Sequence, residues 1–290
     1  MERIRCNTSV AILLATYNGD KYLAEQLDSL LNQTYSDLTI YIHDDGSKDN
    51  TQAIISEYTK KYPNITQLEY EPCGGSMNNF LSILARVDAP YYFFSDQDDV
   101  WLPEKVEVCV KALKEAEEKN GINTPAVANT DLFITDENLR ITDQSFWKVA
   151  GIYPQFLRNF NEAAAANGCT GCAMSFNNAA RKSVVPHNGK ATMHDSWVCL
   201  CALKAGGVMC PISKPLIYYR QHSSNALGAA TPVNTLTFSY RVAHIKKMYL
   251  MIKHHYQMLC QLNYGSFLKF MYYKAKYKQN IKKFNKTVKG

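Results

Sequence analysis

Tyr91-Tyr92-Phe93-Phe94-Ser95-Asp96-Gln97-Asp98-Asp99-Val100-Trp101 sets an apolar run directly before three carboxylates in four positions. Pro90 opens the run, and a short continuous apolar segment suits a strand buried on both faces of a parallel sheet. Asp96, Asp98 and Asp99 then emerge together at its carboxyl end, the edge where open α/β sheets bind ligands. Clustered carboxylates repel one another and hold protons more tightly, so a hard divalent cation such as Mg2+ or Mn2+ among them is one reading. The plainer reading is an acidic strand-to-helix turn, with Asp98 or Asp99 capping the helix that Pro103 begins.

Working outward, strand-like and helix-like segments alternate through the first half of the chain, the pattern of parallel βαβ units with helices covering the sheet. Val10 to Ala15 is a continuous apolar run followed by Tyr17-Asn18-Gly19 and a helix with Leu23, Leu27, Leu30 and Leu31 on one face. Leu38 to Ile42 is the next strand, and His43-Asp44-Asp45-Gly46-Ser47-Lys48-Asp49 the turn after it, with Asp49 placed to cap a helix through Tyr58. A third strand is expected at Ile65 to Tyr70 and a helix over Met77 to Val87. Beyond a helix from Pro103 to Lys119 and a strand at Ala126 to Ile134, the stretch from Asp143 to Asn167 has no clear period. Cys169 to Phe176 reads as extended, His194-Asp195-Ser196-Trp197 opens an apolar helix, and Pro215 to Tyr219 is a last strand.

With 290 residues the chain can bury a sizeable core. No apolar stretch reaches the roughly 18 residues that span a bilayer, and the first residues carry Glu2, Arg3 and Arg5, so an intracellular protein, soluble or peripheral, is expected. Nine scattered cysteines suit buried, reduced thiols. Cys169-x-x-Cys172 lacks the second pair that a zinc site needs. The charge is divided unevenly. From Ala226 onward there are twelve Lys or Arg and no Asp or Glu, leaving 20 basic against 26 acidic groups in the rest. Seven tyrosines interleave with this tail, and Val242, Ile245, Tyr249, Ile252, Tyr256 and Leu259 recur at three- and four-residue spacing. A basic amphipathic helix follows, able to lie on an anionic membrane face or to pack on the body. With no nucleic-acid module beside it, nucleic acid is not the expected partner.

A second acidic turn, Asp44-Asp45, belongs to the same sheet edge. A carboxylate there can accept hydrogen bonds from an imide nitrogen or from sugar hydroxyls, or Asp44 can merely tie its own turn. The chain has neither Gly-x-Gly-x-x-Gly nor Gly-x-x-x-x-Gly-Lys-Ser, so a phosphate ligand calls for a metal ion rather than a glycine cradle.

In order, Ala15-Thr16-Tyr17-Asn18-Gly19, His43-Asp44-Asp45-Gly46-Ser47, Ser95-Asp96-Gln97-Asp98-Asp99 and Tyr219-Arg220-Gln221-His222 resemble a family-2 glycosyltransferase of the GT-A fold, over about residues 8 to 225. The likeness is strongest to bacterial rhamnosyltransferase-like enzymes of surface-polysaccharide assembly. It implies an α/β domain over 1–225, a Rossmann-like mixed sheet with helices on both faces, followed by the basic helical tail over 226–290. It further implies that Thr16, Asn18, Asp44 and Asp45 surround the base and ribose of a dTDP- or UDP-linked sugar. Asp96 and Asp98 match the Asp-x-Asp motif, Asp96 toward the ribose and Asp98 toward Mn2+ or Mg2+, with His222 a further metal ligand. Gly171 would line the sugar or acceptor pocket.

By the same likeness Asp195 is the catalytic base. The family usually carries an acidic pair at this point, whereas here the pair is His194-Asp195, so His194 is expected either to orient Asp195 or to compete with it. Asp195 as a plain helix cap, and Trp197 as either an acceptor platform or a core residue, are the alternatives. The activity implied is inverting, metal-dependent transfer of one sugar to a glycan or polyprenyl-linked oligosaccharide, at the cytoplasmic face of the cell membrane. The processive synthases of the family carry membrane spans and a Gln-x-x-Arg-Trp segment, and neither occurs here. Nucleotidyl transfer, and a non-catalytic sugar-nucleotide or membrane-binding module, are the rival readings.

Overall fold

The computed structural model describes residues 4–166, 168–184, 191–222 and 245–289. Its elements run β1 (Ile4–Arg5), β2 (Val10–Thr16), α1 (Leu23–Leu31), β3 (Leu38–Asp44), α2 (Thr51–Lys61), β4 (Ile65–Gln67), α3 (Ser76–Arg86), β5 (Val87–Asp88), β6 (Tyr91–Ser95), β7 (Val100–Trp101), α4 (Lys105–Asn120) and β8 (Ala126–Thr135). There follow β9 (Ile141–Asp143), α5 (Phe146–Ala150), α6 (Phe160–Ala165), β10 (Met174–Asn177), α7 (Asn178–Ser183), α8 (His194–Lys204), β11 (Val208–Arg220), α9 (Ile245–Gln261) and α10 (Phe267–Lys289).

The main sheet has the order β4-β3-β2-β6-β10-β8-β11-β7, with β9 added beside β8. β4, β3, β2 and β6 are mutually parallel. Parallel neighbours need crossovers, and α1, α2 and α3 supply them. β10 enters antiparallel to both β6 and β8, while β8 and β11 are parallel. Because β10 is reversed, it brings its amino end to the edge at which β2, β3, β6, β8 and β11 finish. The sheet is thus mixed, as the resemblance implied, with helices on both faces.

The aromatic run divides between those faces because strand side chains alternate. Tyr92 and Phe94 join Phe80, Phe176 and Trp197 in one core, whereas Tyr91 and Phe93 join Leu23, Leu27, Ile55, Val106 and Val110 in the other. All five residues of β6 are buried, which is why the segment reads as continuously apolar up to its polar end.

Three expectations change. The stretch from 143 to 167 contains two short helices, α5 and α6, started by Ser145 and Asn159, whose side chains accept from Lys148 N and Glu162 N. Their few turns are too short to set up a period. The last strand is far longer than Pro215 to Tyr219. Pro211 and Pro215 hide its first half, and the chain tolerates them through irregular pairing around Pro215 on a stretch where β7 does not reach. The third strand, conversely, ends at Gln67.

The described part of the basic tail, α9 and α10, packs on the body. Met258, Leu259, Leu262, Tyr264 and Phe270 are buried in the core that contains Phe80 and Trp197. His255 Nε2 and Lys274 Nζ donate to Ala164 O and Ala165 O, at 2.9 and 3.2 Å, at the end of α6. Of the expected stripe, Leu259 is buried, Ile252 and Tyr256 are half-buried and Tyr249 is exposed. Val242 lies outside the described residues. No helix among the described residues is long and apolar enough to cross a membrane.

Candidate active site

The strand ends border a cavity of about 800 Å³, and Thr16, Asp45, Asp96, Asp98, Gly171 and Asp195 line it. These six come from five separate chain segments, so the sheet edge assembles what the sequence scatters. Asn18, Asp44 and His222 stand outside the lining.

Behind the wall, Asn18 and Asp44 organise the turn after β3. Asn18, at a φ of 48°, donates its backbone N–H to Ser47 Oγ at 2.7 Å, and its Oδ1 accepts from Lys48 N at 2.9 Å. Buried Asp44 accepts from Ser47 N at 3.0 Å and from Gln52 Nε2 at 2.5 Å, and the Ser47 hydroxyl bonds it as well. Asp44 therefore does the turn-tying job that an Asp-Asp-Gly segment does by default. Asp45 faces the cavity, clasped by the backbone amides of Cys73, Gly74 and Gly75 at 2.7, 3.3 and 2.8 Å. It joins the end of β3 to the glycine loop that starts α3.

Gln97 and Arg220 hold the acidic turn after β6. Gln97 Oε1 accepts from Thr16 Oγ1 at 2.6 Å and Tyr17 N at 2.8 Å, and its Nε2 donates to Tyr17 O at 3.1 Å. A Cβ at Gly19 would come within 2.4 Å of that same oxygen, so the small residue admits the bond. Arg220 reaches from the end of β11 with Nε to Asp98 O at 2.8 Å, and its N–H donates to Asp99 Oδ1 at 3.2 Å. A third bond, from its guanidinium to Glu25 Oε2, measures 2.5 Å. Asp99 thus supports β11 and does not cap a helix. The residue before α4 is Glu104, which makes no side-chain cap bond.

Asp98 Oδ2 and His222 Nε2 lie 3.0 Å apart. A hard carboxylate oxygen beside a borderline imidazole nitrogen is a donor pair that fits Mn2+ well and Mg2+ less well. Burial, then the charges of Asp98 and Asp195, push the pKa of Asp96 up to about 7. Negative charge crowded in this way favours a bound cation. A second grouping, Asp96, Asp99 and Cys172, offers ligand atoms within 4.8 Å of one another. Burial drives the pKa values of Asp99 and Cys172 well up, and the side-chain nitrogen of buried Lys105 donates to Cys172 O at 2.8 Å close by. That grouping reads as support beneath the motif.

On the other wall, His194 and Asp195 form the first turn of α8. The residue that precedes this helix is Met193, and Asp195 Oδ1 accepts from Ser196 N at 2.5 Å. Asp195 is therefore inside the helix and not its cap. Its charge is felt at Asp96, which ties the two walls electrostatically. Burial holds the His194 imidazole down to about 3. Trp197 is fully buried and belongs to the core, not to a platform for sugar. Gln97 and Arg220 carry structural weight that residue type alone did not announce. An arginine closing a largely apolar strand was the one available signal.

A parallel-to-mixed sheet of this order with its cavity at the strand ends defines the GT-A class of α/β glycosyltransferase fold. Solved structures of that fold bear this out: TarS residues 1–349 of S. aureus bound to UDP-GlcNAc superposes with a TM-score of 0.56 at 18% identity, covering 88% of this chain and 71% of that one. The mannosyltransferase PcManGT of Pyrobaculum calidifontis, with GDP-Man and Mn2+, gives 0.54 at 16% identity, covering 85% and 63%. Residues 11–184 match the family model described as glycosyl transferase family 2, and the chain belongs to that family of glycosyltransferases. The dTDP-rhamnosyl transferase RfbG of Shigella flexneri is 28% identical over 237 residues, 74% of each chain. The chondroitin synthase of Escherichia coli is 31% identical over 141 residues, 48% of this chain but 20% of its own length.

Proposed function

We propose that this glycosyltransferase moves a single sugar from a nucleoside-diphosphate donor, dTDP-rhamnose or a UDP-sugar, to a hydroxyl of a glycan or polyprenyl-linked oligosaccharide. The setting is bacterial surface-polysaccharide assembly. One observation carries the reading: Asp195 on α8 and the acidic turn after β6 face a single cavity, close enough for the Asp195 charge to raise the pKa of Asp96. The similarity to a dTDP-rhamnosyl transferase favours a deoxythymidine donor, and the likeness to a fold solved with UDP-GlcNAc keeps uridine in play.

In this reading Thr16 and Asp45 receive the nucleoside from the cavity wall, with Asn18 and Asp44 fixing the turn behind them. Asp96 hydrogen-bonds the ribose. Asp98 and His222 would hold the divalent cation, whose chemistry is to offset the charge of the departing diphosphate. Asp195 removes the proton of the acceptor hydroxyl as its oxygen attacks the anomeric carbon. A single displacement inverts the anomeric configuration through an oxocarbenium-like transition state, with no covalent sugar intermediate. Gly171 leaves room for the sugar beside Asp195. The basic tail, packed on the body through one side, presents its other side to an anionic membrane surface at the cytoplasmic face, where lipid-linked acceptors would be met.

The test is a screen of dTDP-, UDP- and GDP-sugars against the purified protein with Mn2+, read by mass spectrometry. Transfer that releases a nucleoside diphosphate is expected. Release of pyrophosphate instead would turn the assignment to nucleotidyl transfer.

A further inference from the structure

His194 is a buried polar group in the cavity for which the chemistry above finds no use. It is 3% exposed, yet among the described residues neither Nδ1 nor Nε2 has a hydrogen-bond partner. The ring is fixed from two sides by carbon alone. It stacks on Phe80 with centroids 4.1 Å apart and planes at 28°, and meets Phe94 edge-on at 4.9 Å and 90°. Its open side is at position 171, where a Cβ on the glycine would stand 2.5 Å from Nε2. Both residues border the cavity.

Burial keeps the imidazole neutral, so it offers one N–H donor and one nitrogen acceptor and carries no charge to attract a phosphate. A buried donor and acceptor left unpaired are costly, and a ligand that completes them gains accordingly. A sugar hydroxyl, at once donor and acceptor, matches this pair. We propose that His194 reads a sugar hydroxyl in the cavity, with Nε2 reaching it through the gap that Gly171 leaves beside Asp195. The proposal rests on the glycosyl-transfer reading, and the hydroxyl belongs either to the donor sugar or to the acceptor.

The two sources separate by titration calorimetry with UDP, dTDP, UDP-GlcNAc and dTDP-rhamnose, and by steady-state transfer to p-nitrophenyl glycosides as acceptor probes. His194→Phe keeps the ring stack and removes both nitrogens. It is expected to bind UDP and dTDP as the wild type does. If the hydroxyl is the donor's, affinity for the nucleotide sugar falls roughly ten-fold; if it is the acceptor's, donor affinity holds and the acceptor KM rises by a similar factor. His194→Gln, which retains a donor and an acceptor, recovers part of the loss. Should His194→Phe fold poorly, Gly171→Ala closes the gap from the other side and is expected to show the same sugar-selective loss. Wild-type values in both measurements for His194→Phe, or for Gly171→Ala in its place, overturn the role of His194. A wild-type protein that binds none of the four nucleotides sinks the dTDP- or UDP-sugar donor reading, and this proposal with it.

Discussion

At the scale of single residues, the site separates two neighbours on one helical turn. Asp195 and the acidic turn line one cavity, while His194 is packed against Phe80 and Phe94 with its Gly171 side open. A general base contributes about 10²- to 10⁴-fold, so Asp195→Asn is expected to lower transfer by that range while nucleotide-sugar affinity is kept. Transfer at wild-type rates by that variant would remove Asp195 from the role. His194 makes a separate prediction about stability. Its folded pKa, near 3, lies below the unfolded value of 6.5. Between those values the unfolded chain binds a proton that the folded chain does not, so stability rises with pH across the window and levels off above it. The slope from this one group reaches at most ~1.4 kcal/mol per pH unit. Thermal unfolding at pH 5 and pH 7.5 should therefore show a smaller difference for His194→Phe than for wild type. Equal differences would contradict a neutral, buried imidazole.

At the scale of elements, the acidic turn keeps its shape because β2 and β11 hold it from either side through Gln97 and Arg220. Glu25 is half exposed, so its ion pair with Arg220 adds little by itself. The larger contribution comes from the guanidinium bonds to Asp98 O at 2.8 Å and Glu137 O at 2.7 Å, at a buried position. Arg220→Met is expected to lower stability by about 2–3 kcal/mol, since it leaves those carbonyls without their charged donor. Thermal denaturation measures this, and an unchanged Tm would mean that the turn stands without its strut. The α9–α10 pair needs different handling. Its buried Met258, Leu259 and Phe270 share a core with Trp197, so cutting it away would expose that core as well as remove charge.

At the scale of the whole molecule, a body with 20 basic and 26 acidic groups carries a tail of twelve basic groups. The outward side of α10 starts with Leu268, 80% exposed, and Tyr272, 61% exposed, with Met271 beside them. Exposed Lys278, Lys282, Lys283 and Lys286 follow along the same helix. Apolar side chains next to a row of lysines suit the interface of an anionic membrane. Replacing Leu268, Met271 and Tyr272 together with serine is expected to reduce sedimentation with anionic vesicles and to leave Tm nearly unchanged. Vesicle binding equal to wild type would rule out this face as the membrane contact.

The sequence by itself determined the order of the longer strands and helices from β2 to β6, though not the two-residue β1 and β5, because apolar period and turn residues are local properties that each segment carries alone. It likewise announced the acidic turn after Phe94, since a run buried on both faces must end where polar residues begin. It did not determine the reversal of β10, the length of β11 across Pro211 and Pro215, or the inward packing of the tail, because pairing partners are set by distant segments. Nor could residue type decide which members of each cluster do what. Asp44 and Asp45 are adjacent, yet one ties its own turn and the other lines the cavity. His194 and Asp195 are adjacent too, and the tertiary structure alone buries one between two aromatic rings and turns the other toward the acidic turn. Successive side chains on a strand end or a helix point in different directions, and only the packed surroundings fix what each one meets.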